Sequence, residues 1–181
     1  MTRKFVGSKE MLAALSFGLL ASCATGQNIP STTNPASRVL LSIERVEALH
    51  PGKDNEESAK QLFGEPDMKV TDPEPGIGDV WLYFDPGTKA TRVSLQFDSK
   101  STILLAAAWF VRGNSPEENL KTVIAKFPNA HFKKREAKQI VPDYIPDEAY
   151  LEDRKLGVQI EYYQSNSRVH SITWTAPQTQ N

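Results

Sequence analysis

The chain has 181 residues, with 21 Lys and Arg against 22 Asp and Glu, a formal net charge of -1, and 39% hydrophobic residues. This composition is typical of one folded domain or two small ones, and it excludes a disordered acidic chain and a broad basic surface for nucleic acid. The single cysteine excludes an internal disulfide framework and a zinc site built from cysteines.

Residues 1–22 have the pattern of a secretory signal peptide. Arg3, Lys4 and Lys9 precede an apolar run at residues 11–21, although the acidic Glu10 is atypical of such a positive head. The run is too short to span a bilayer, which takes about 20 apolar residues. We therefore predict an exported protein.

The end of this run, Leu20-Ala21-Ser22-Cys23, resembles the lipobox of bacterial lipoproteins: a branched residue, two small residues and a cysteine. The resemblance implies cleavage after Ser22, a covalent lipid on Cys23, and anchoring in the bacterial outer membrane, facing the periplasm, because Ala24 is not Asp. The alternative role for Cys23 is that of a small buried hydrophobic residue. We expect no cofactor other than the lipid.

Residues 23–38 are predicted to be a lipidated flexible tether. Residues 24–37 contain no charged residue and are rich in Thr, Ser, Pro, Asn and Gly, a composition that cannot form a core. As a coil, this segment would hold the folded part roughly 20 Å from the membrane.

Residues 39–113 are predicted to form a first unit, which begins with two short helices. Val39, Ile43 and Val46 recur at helical spacing before His50-Pro51-Gly52 breaks the helix. In the second helix we expect Asp54 to form the cap, with its apolar stripe at Ala59, Leu62 and Phe63 and its end at Gly64.

Strands follow at residues 80–84, 91–97 and 103–111, after a loop at residues 65–79. Asp85-Pro86-Gly87 supplies turn residues between the first two strands. Strict alternation in the third strand places Leu104 with Ala106, Ala108 and Phe110 on one face, and Leu105 and Trp109 on the other.

Residues 114–177 are predicted to form a second unit, followed by a tail at residues 178–181. Ser115-Pro116-Glu117-Glu118 predicts a helix start, and Pro128 predicts its end. Strands are expected at residues 131–137, 150–152, 158–163 and 168–175.

A shift of 65 residues aligns the strand pair of the first unit with the last strand pair of the second. We interpret the match as a degenerate internal repeat, against the alternative that strand alternation alone produces it. The fold class predicted is α+β, with two tandem units of helix plus antiparallel sheet. The shift aligns Val93 with Val158, Leu95 with Ile160, Phe97 with Tyr162, Leu104 with Val169 and Trp109 with Trp174.

Residues 43–111 resemble a known family. The segments that carry the resemblance are Leu49-His50-Pro51-Gly52-Lys53-Asp54, Leu62-Phe63-Gly64-Glu65-Pro66, Trp81-Leu82-Tyr83 and the strand at residues 93–97. They resemble the SmpA/OmlA, or BamE-type, outer-membrane lipoproteins, and the tandem arrangement is similar to that of the β-lactamase inhibitor protein. The first resemblance implies an accessory role in β-barrel assembly and envelope integrity, and the second implies inhibition of a soluble enzyme.

The sequence offers little catalytic chemistry. His50, His131 and His170 are far apart and lack metal-ligand spacing, so we expect packed or solvated histidines and no metal site. Asp72 and Glu74 lie in a Pro-Gly-rich loop without the spacing of a calcium site. We predict no enzymatic activity, no small-molecule substrate and no nucleic-acid partner.

The favoured hypothesis is therefore a lipid-anchored, non-catalytic protein-binding or scaffold module whose partner is an envelope protein, with the barrel-assembly machinery suspected. The alternative is an inhibitor that presents loops to a soluble periplasmic or secreted enzyme. For either function we expect a protein interface that draws on six residues: Trp109, Phe110, Asp72, Glu74, Pro86 and Gly87.

Overall fold

The computed structural model describes residues 40–71, 76–113, 115–136 and 147–178. The described residues belong to one compact unit. The helices among them lack the length and hydrophobicity of a membrane-spanning segment. The predicted signal peptide and tether lie outside these ranges, as do Ser22 and Cys23.

Eight strands form a single antiparallel sheet, in the spatial order β1-β2-β3-β4-β8-β7-β6-β5. β1 lies within the segment that the sequence predicted to be a loop. The strands are β1 (Met68–Thr71), β2 (Ile77–Phe84), β3 (Thr91–Asp98), β4 (Leu104–Phe110), β5 (Lys133–Glu136), β6 (Glu148–Asp153), β7 (Val158–Tyr163) and β8 (Val169–Thr175).

The predicted fold class, α+β with two tandem helix-plus-sheet units, is wrong. β4 pairs directly with β8, with Ala106 opposite Thr175 and Phe110 opposite Ser171, so the strands of both predicted units share one sheet. Buried residues from both halves also belong to one hydrophobic core. The helices are short, and the fold is dominated by the sheet.

The helices are α1 (Ile43–Glu47), α2 (Glu56–Phe63) and α3 (Leu120–Ala125), the last preceded by a 3₁₀ turn at Pro116–Glu118. Asn55 caps α2 instead of the predicted Asp54: its side-chain oxygen accepts hydrogen bonds from the amides of Glu57 and Ser58 at 3.0 and 3.1 Å. Asp54 instead accepts a hydrogen bond from the His50 amide at 2.6 Å. Asn119 caps α3 in the same way as Asn55 caps α2.

The core lies on one face of the sheet, which we call the core face. Trp81, Leu95 and Ile160 are fully buried there together with Val46 of α1 and Val123 of α3. We call the opposite side the outer face; its central side chains are small or polar and lie outside this core cluster, although they are buried too. They include Ser94, Gln96, Ala106, Ala108 and Ser171.

The hairpins β3–β4 and β7–β8 have the same register. Val93 lies opposite Trp109, and Val158 lies opposite Trp174. Each hairpin has a bulge at the same place, between Gln96 and Phe97 in the first and between Glu161 and Tyr162 in the second. Thr102 and Ser167, which end the two turns, both have a φ of 55°. The 65-residue shift thus coincides with the strand register, within one sheet rather than across two units.

Candidate binding site at the end of the central strands

The bulges break the alternation on which the sequence prediction relied. In β4, Leu104 pairs with Phe97 and Ala106 pairs with Gln96, so Leu105 is the extra residue and Leu104 joins the core face. In β8, His170 is the extra residue at the same position. The bulge therefore lets both His170 and Ser171 approach Glu161.

We call Glu161, His170, Ser171 and Tyr150 the Glu161 cluster. The Ser171 hydroxyl donates to Glu161 Oε2 at 2.9 Å, and the Tyr150 hydroxyl donates to Oε1 at 3.5 Å. His170 Nδ1 lies 3.2 Å from Oε2, an ion-pair distance, but it makes no aligned hydrogen bond. The cluster thus assembles a carboxylate and three potential donors on the outer face.

The cluster shifts the titration of its members. Burial alone would raise the pKa of Glu161, but His170, Ser171 and Tyr150 together lower it below its usual range. The Glu161 carboxylate raises the pKa of His170, against the opposing effect of burial. Burial, followed by the charge of Glu161, raises the pKa of Tyr150 to about 12. The arrangement favours a charged Glu161–His170 pair.

Glu161, His170 and Ser171 match the residue types of a hydrolase triad, but their geometry differs from it. In a triad the serine hydroxyl is hydrogen-bonded to the histidine, which accepts its proton. Here the Ser171 hydroxyl donates to Glu161 and not to His170. The arrangement places the Ser171 hydroxyl on the carboxylate of a charge pair, without the serine-to-histidine hydrogen bond of a triad.

A shallow depression of about 270 Å³ lies beside the cluster, where β4 ends and the β7–β8 hairpin turns. Arg112, Arg168, His170 and Tyr163 line it, together with valine and glycine residues. The His170 ring packs against Tyr163, with ring centroids 5.9 Å apart. We call this the His170 depression, and its lining carries cationic and aromatic groups without a carboxylate.

A second depression, of about 320 Å³, shares Arg112 and Gly113 with the first. Pro86, Trp109 and Leu40 line this Pro86 depression together with Asp85 and Arg92. Leu40 is 76% exposed. The two depressions flank the segment of residues 111–113, which follows β4.

The structure brings Pro86 and Trp109 to the same depression, as residues of one predicted interface. Trp109 is only 8% exposed, and the Arg92 guanidinium lies 5.0 Å from its ring centroid. Phe110 is half-buried and packs against His170, with ring centroids 6.1 Å apart. Gly87 lies in the exposed β2–β3 turn with a φ of 75°.

Asp72 and Glu74 lie outside the described residues, as do Ser22 and Cys23. The histidines remain separate: His50 pairs with Asp54 at 3.4 Å, and the His131 amide donates to Asp153 at 2.5 Å. Across the described ranges, no group of three or more His, Cys, Asp or Glu residues is placed to hold a metal ion.

Sequence reasoning missed Arg112, Arg168 and Tyr163 as site residues. Arg112 follows β4, whereas Tyr163 and Arg168 bound the β7–β8 turn, and the β4–β8 pairing brings these two segments together. One signal was present in the sequence: the 65-residue shift aligns Tyr163, Arg168 and His170 with Asp98, Ile103 and Leu105. These three differences lie at one end of the aligned hairpins, although other positions, such as Arg92 and Gly157, also differ.

Comparison with known proteins finds no matching protein-family model and no matching curated protein. A DUF4309 family protein from Bacillus subtilis aligns with a TM-score of 0.42 and 16% identity over 72% of this chain and 83% of its own. An extracellular protein containing a SCP domain, from Bacillus anthracis, aligns with a TM-score of 0.40 and 12% identity over 83% of this chain and 50% of its own. A cysteine-rich secretory protein from Staphylococcus aureus aligns with a TM-score of 0.36 and 12% identity over 71% of this chain and 49% of its own. These similarities are too low to support a conclusion about fold or function.

Proposed function

We propose that the chain is an exported, lipid-anchored protein that binds a protein partner with the end of the sheet around residues 111–113 and performs no catalysis. The observation that carries this proposal is the pair of shallow depressions, of about 270 and 320 Å³, on the two sides of that segment. Small-molecule sites are usually concave enough to bury most of the ligand, whereas protein partners bind broader surfaces.

The residues around the depressions suit protein binding. Arginine and aromatic residues are enriched at protein interfaces. Arg112 and Tyr163 line the His170 depression, and Arg92 covers the largely buried Trp109 in the Pro86 depression. The exposed side chain of Leu40 adds an apolar contact at the rim. The hydroxyl of Ser171 is committed to Glu161, which supports a non-catalytic role.

The proposed anchor places this end of the molecule near the membrane. Leu40 follows Cys23 by 17 positions. A coil of that length spans roughly 20 to 25 Å on average. A lipid on Cys23 would therefore keep the Pro86 depression close to proteins of the outer membrane, of which the barrel-assembly machinery is the candidate implied by the BamE-type resemblance.

A pull-down of the tagged protein from its own membranes in mild detergent tests the proposal. We expect integral envelope proteins to co-purify with the wild type and to be lost with Cys23→Ala, which removes the anchor. Recovery of one soluble enzyme by both forms would instead support the alternative, an inhibitor that uses the Pro86-Gly87 turn.

A matched pair of variants tests the surface. Leu40→Asp should reduce capture of the partner, because it places a charge at the rim of the Pro86 depression. Leu156→Asp is the control, since Leu156 is also exposed, at 41%, but lies in the β6–β7 turn at the other end of β7. Equal capture by both variants would contradict the proposed surface.

A further inference from the structure

The His170 depression gathers three basic side chains, and the carboxylates that pair with two of them, Glu118 and Glu161, lie outside its lining. Arg112, Arg168 and His170 line it, and no carboxylate does. Cations placed together repel each other unless an anion lies between them, and arginine forks match the geometry of carboxylate and phosphate groups. The composition of the lining therefore favours an anionic ligand.

Each of the two arginines makes a hydrogen bond to another part of the fold and retains further N–H donors for a ligand. Arg112 Nη2 donates to the Thr91 carbonyl at 3.2 Å, and Arg168 Nη2 donates to Glu118 of the 3₁₀ turn. Each guanidinium has five N–H groups, so one such bond fixes its position without using its capacity. Arg168 remains 57% exposed.

His170 supplies a further donor. Its Nδ1 faces Glu161 at 3.2 Å, and the residue lines the depression, so Nε2 is the ring nitrogen left for a ligand. The charged groups that act on the imidazole are Glu161 of β7, Glu148 of β6 and Arg112 after β4. Glu161 dominates and raises the pKa of His170, so the imidazole gains a proton, and an Nε2–H donor, more readily than an isolated histidine.

The first hairpin shows that the fold does not require these groups. The 65-residue shift places Ile103 at the position of Arg168 and Leu105 at the position of His170, with the same bulge and the same turn. A sheet position that accepts leucine in one hairpin carries histidine beside a carboxylate in the other. Burying a histidine and a carboxylate costs free energy that a leucine would not. A role in ligand binding would explain why the second hairpin carries them.

We infer that the His170 depression is an oxyanion-binding site, in which Arg112, Arg168 and His170 bind a carboxylate or phosphate group. The shared chemistry is that of a compact anion with two or three acceptor oxygens. The biological role of this site rests on the proposed protein-binding function, for which it specifies an acidic group on the partner. Anion binding itself is measurable without any partner.

The test titrates ¹⁵N-labelled protein, residues 23–181, with sodium phosphate in one arm and sodium acetate in the other, at constant ionic strength and pH 6. The amide resonances of residues 111–113 report on the site. We expect saturable shifts with a dissociation constant in the millimolar range in at least one arm. Saturation by phosphate alone would identify a phosphate site, and saturation by acetate alone a carboxylate site.

Variants distinguish anion binding in the His170 depression from a general effect of added anions on the charges of the protein. Arg112→Gln and His170→Leu should each weaken binding at least about fivefold, whereas Lys121→Gln, which removes an exposed charge on α3, should leave it unchanged. Thermal unfolding shows whether each variant is folded. If one variant is not, saturation of the shifts in the wild type remains the test of the inference. Shifts that never saturate, or that are the same in all variants, would overturn the inference. Partner capture by the wild type despite such a result would leave the proposed function intact.

Discussion

The two central hairpins share a register, a bulge and a turn, yet their bulges differ in chemistry. The first brings together Gln96, Leu105 and Ala106, and the second brings together Glu161, His170 and Ser171. The bulge belongs to the fold, because both hairpins have it. The titratable side chains do not, because one hairpin does without them.

Truncating a buried core residue in either hairpin should lower stability the most, and it tests whether both hairpins share one core. Leu95 and Ile160 occupy matching positions and are both fully buried. Leu95→Ala and Ile160→Ala should each lower the free energy of unfolding by about 2 to 5 kcal/mol, because each leaves a cavity. In urea unfolding followed by tryptophan fluorescence and circular dichroism, we expect one transition that both variants shift. Two transitions, each moved by only one variant, would contradict the single sheet.

Removing the helix caps should have the next largest effect on stability, and it compares α2 of the first half with α3 of the second. Asn55 caps α2 and Asn119 caps α3, each by accepting two backbone hydrogen bonds. Asn55→Ala and Asn119→Ala should each cost about 1 kcal/mol in the same urea experiment. Gln61→Ala is the control, since Gln61 is an exposed residue within α2. A loss in the control equal to that in the cap variants would remove the capping explanation.

The smallest effect is the pH dependence of the Glu161–His170 pair. The pKa of His170 is raised in the folded state, so its contribution to stability is complete below 6.5, its usual value, and is lost as the pH rises through the folded pKa. The pKa of Glu161 is lowered, so its contribution is present above 4.5 and is lost as the pH falls through the folded pKa. The pair should therefore stabilise most between about pH 4.5 and 6.5.

His170→Leu should remove this pH dependence. The difference in unfolding free energy between wild type and variant should favour the wild type most near pH 5.5 and should decline toward pH 8. Thermal unfolding across this range measures it. A difference that grows with rising pH would reverse the sign and contradict the assigned pair.

Sequence patterns predicted much of the strand structure because alternation and turn residues act locally. The prediction of β7 at residues 158–163 is confirmed, and that of β3 at residues 91–97 ends one residue short. β1, with four exposed residues, has no buried pattern and was missed. The pairing of β4 with β8 joins segments about 65 residues apart, and no local pattern specifies such a contact.

The site was less predictable for the same reason. Strict alternation places His170 and Ser171 on opposite faces, but the bulge brings both to Glu161. Pro86 and Trp109 were predicted as interface residues from turn and aromatic character, and they do line one depression. Arg112 and Arg168 carried no motif, because only the assembled sheet makes them neighbours.

The most direct test converts the second bulge into the first. The triple variant Glu161→Gln, His170→Leu, Ser171→Ala copies Gln96, Leu105 and Ala106. Its unfolding free energy and its phosphate and acetate titrations are compared with those of the wild type. We expect stability within about 1 kcal/mol of the wild type, since replacing buried charged pairs by apolar groups is often neutral, together with anion binding at least about fivefold weaker, because the His170 donor is gone. A variant that fails to fold, or one that binds anions as the wild type does, would contradict the separation of fold from site.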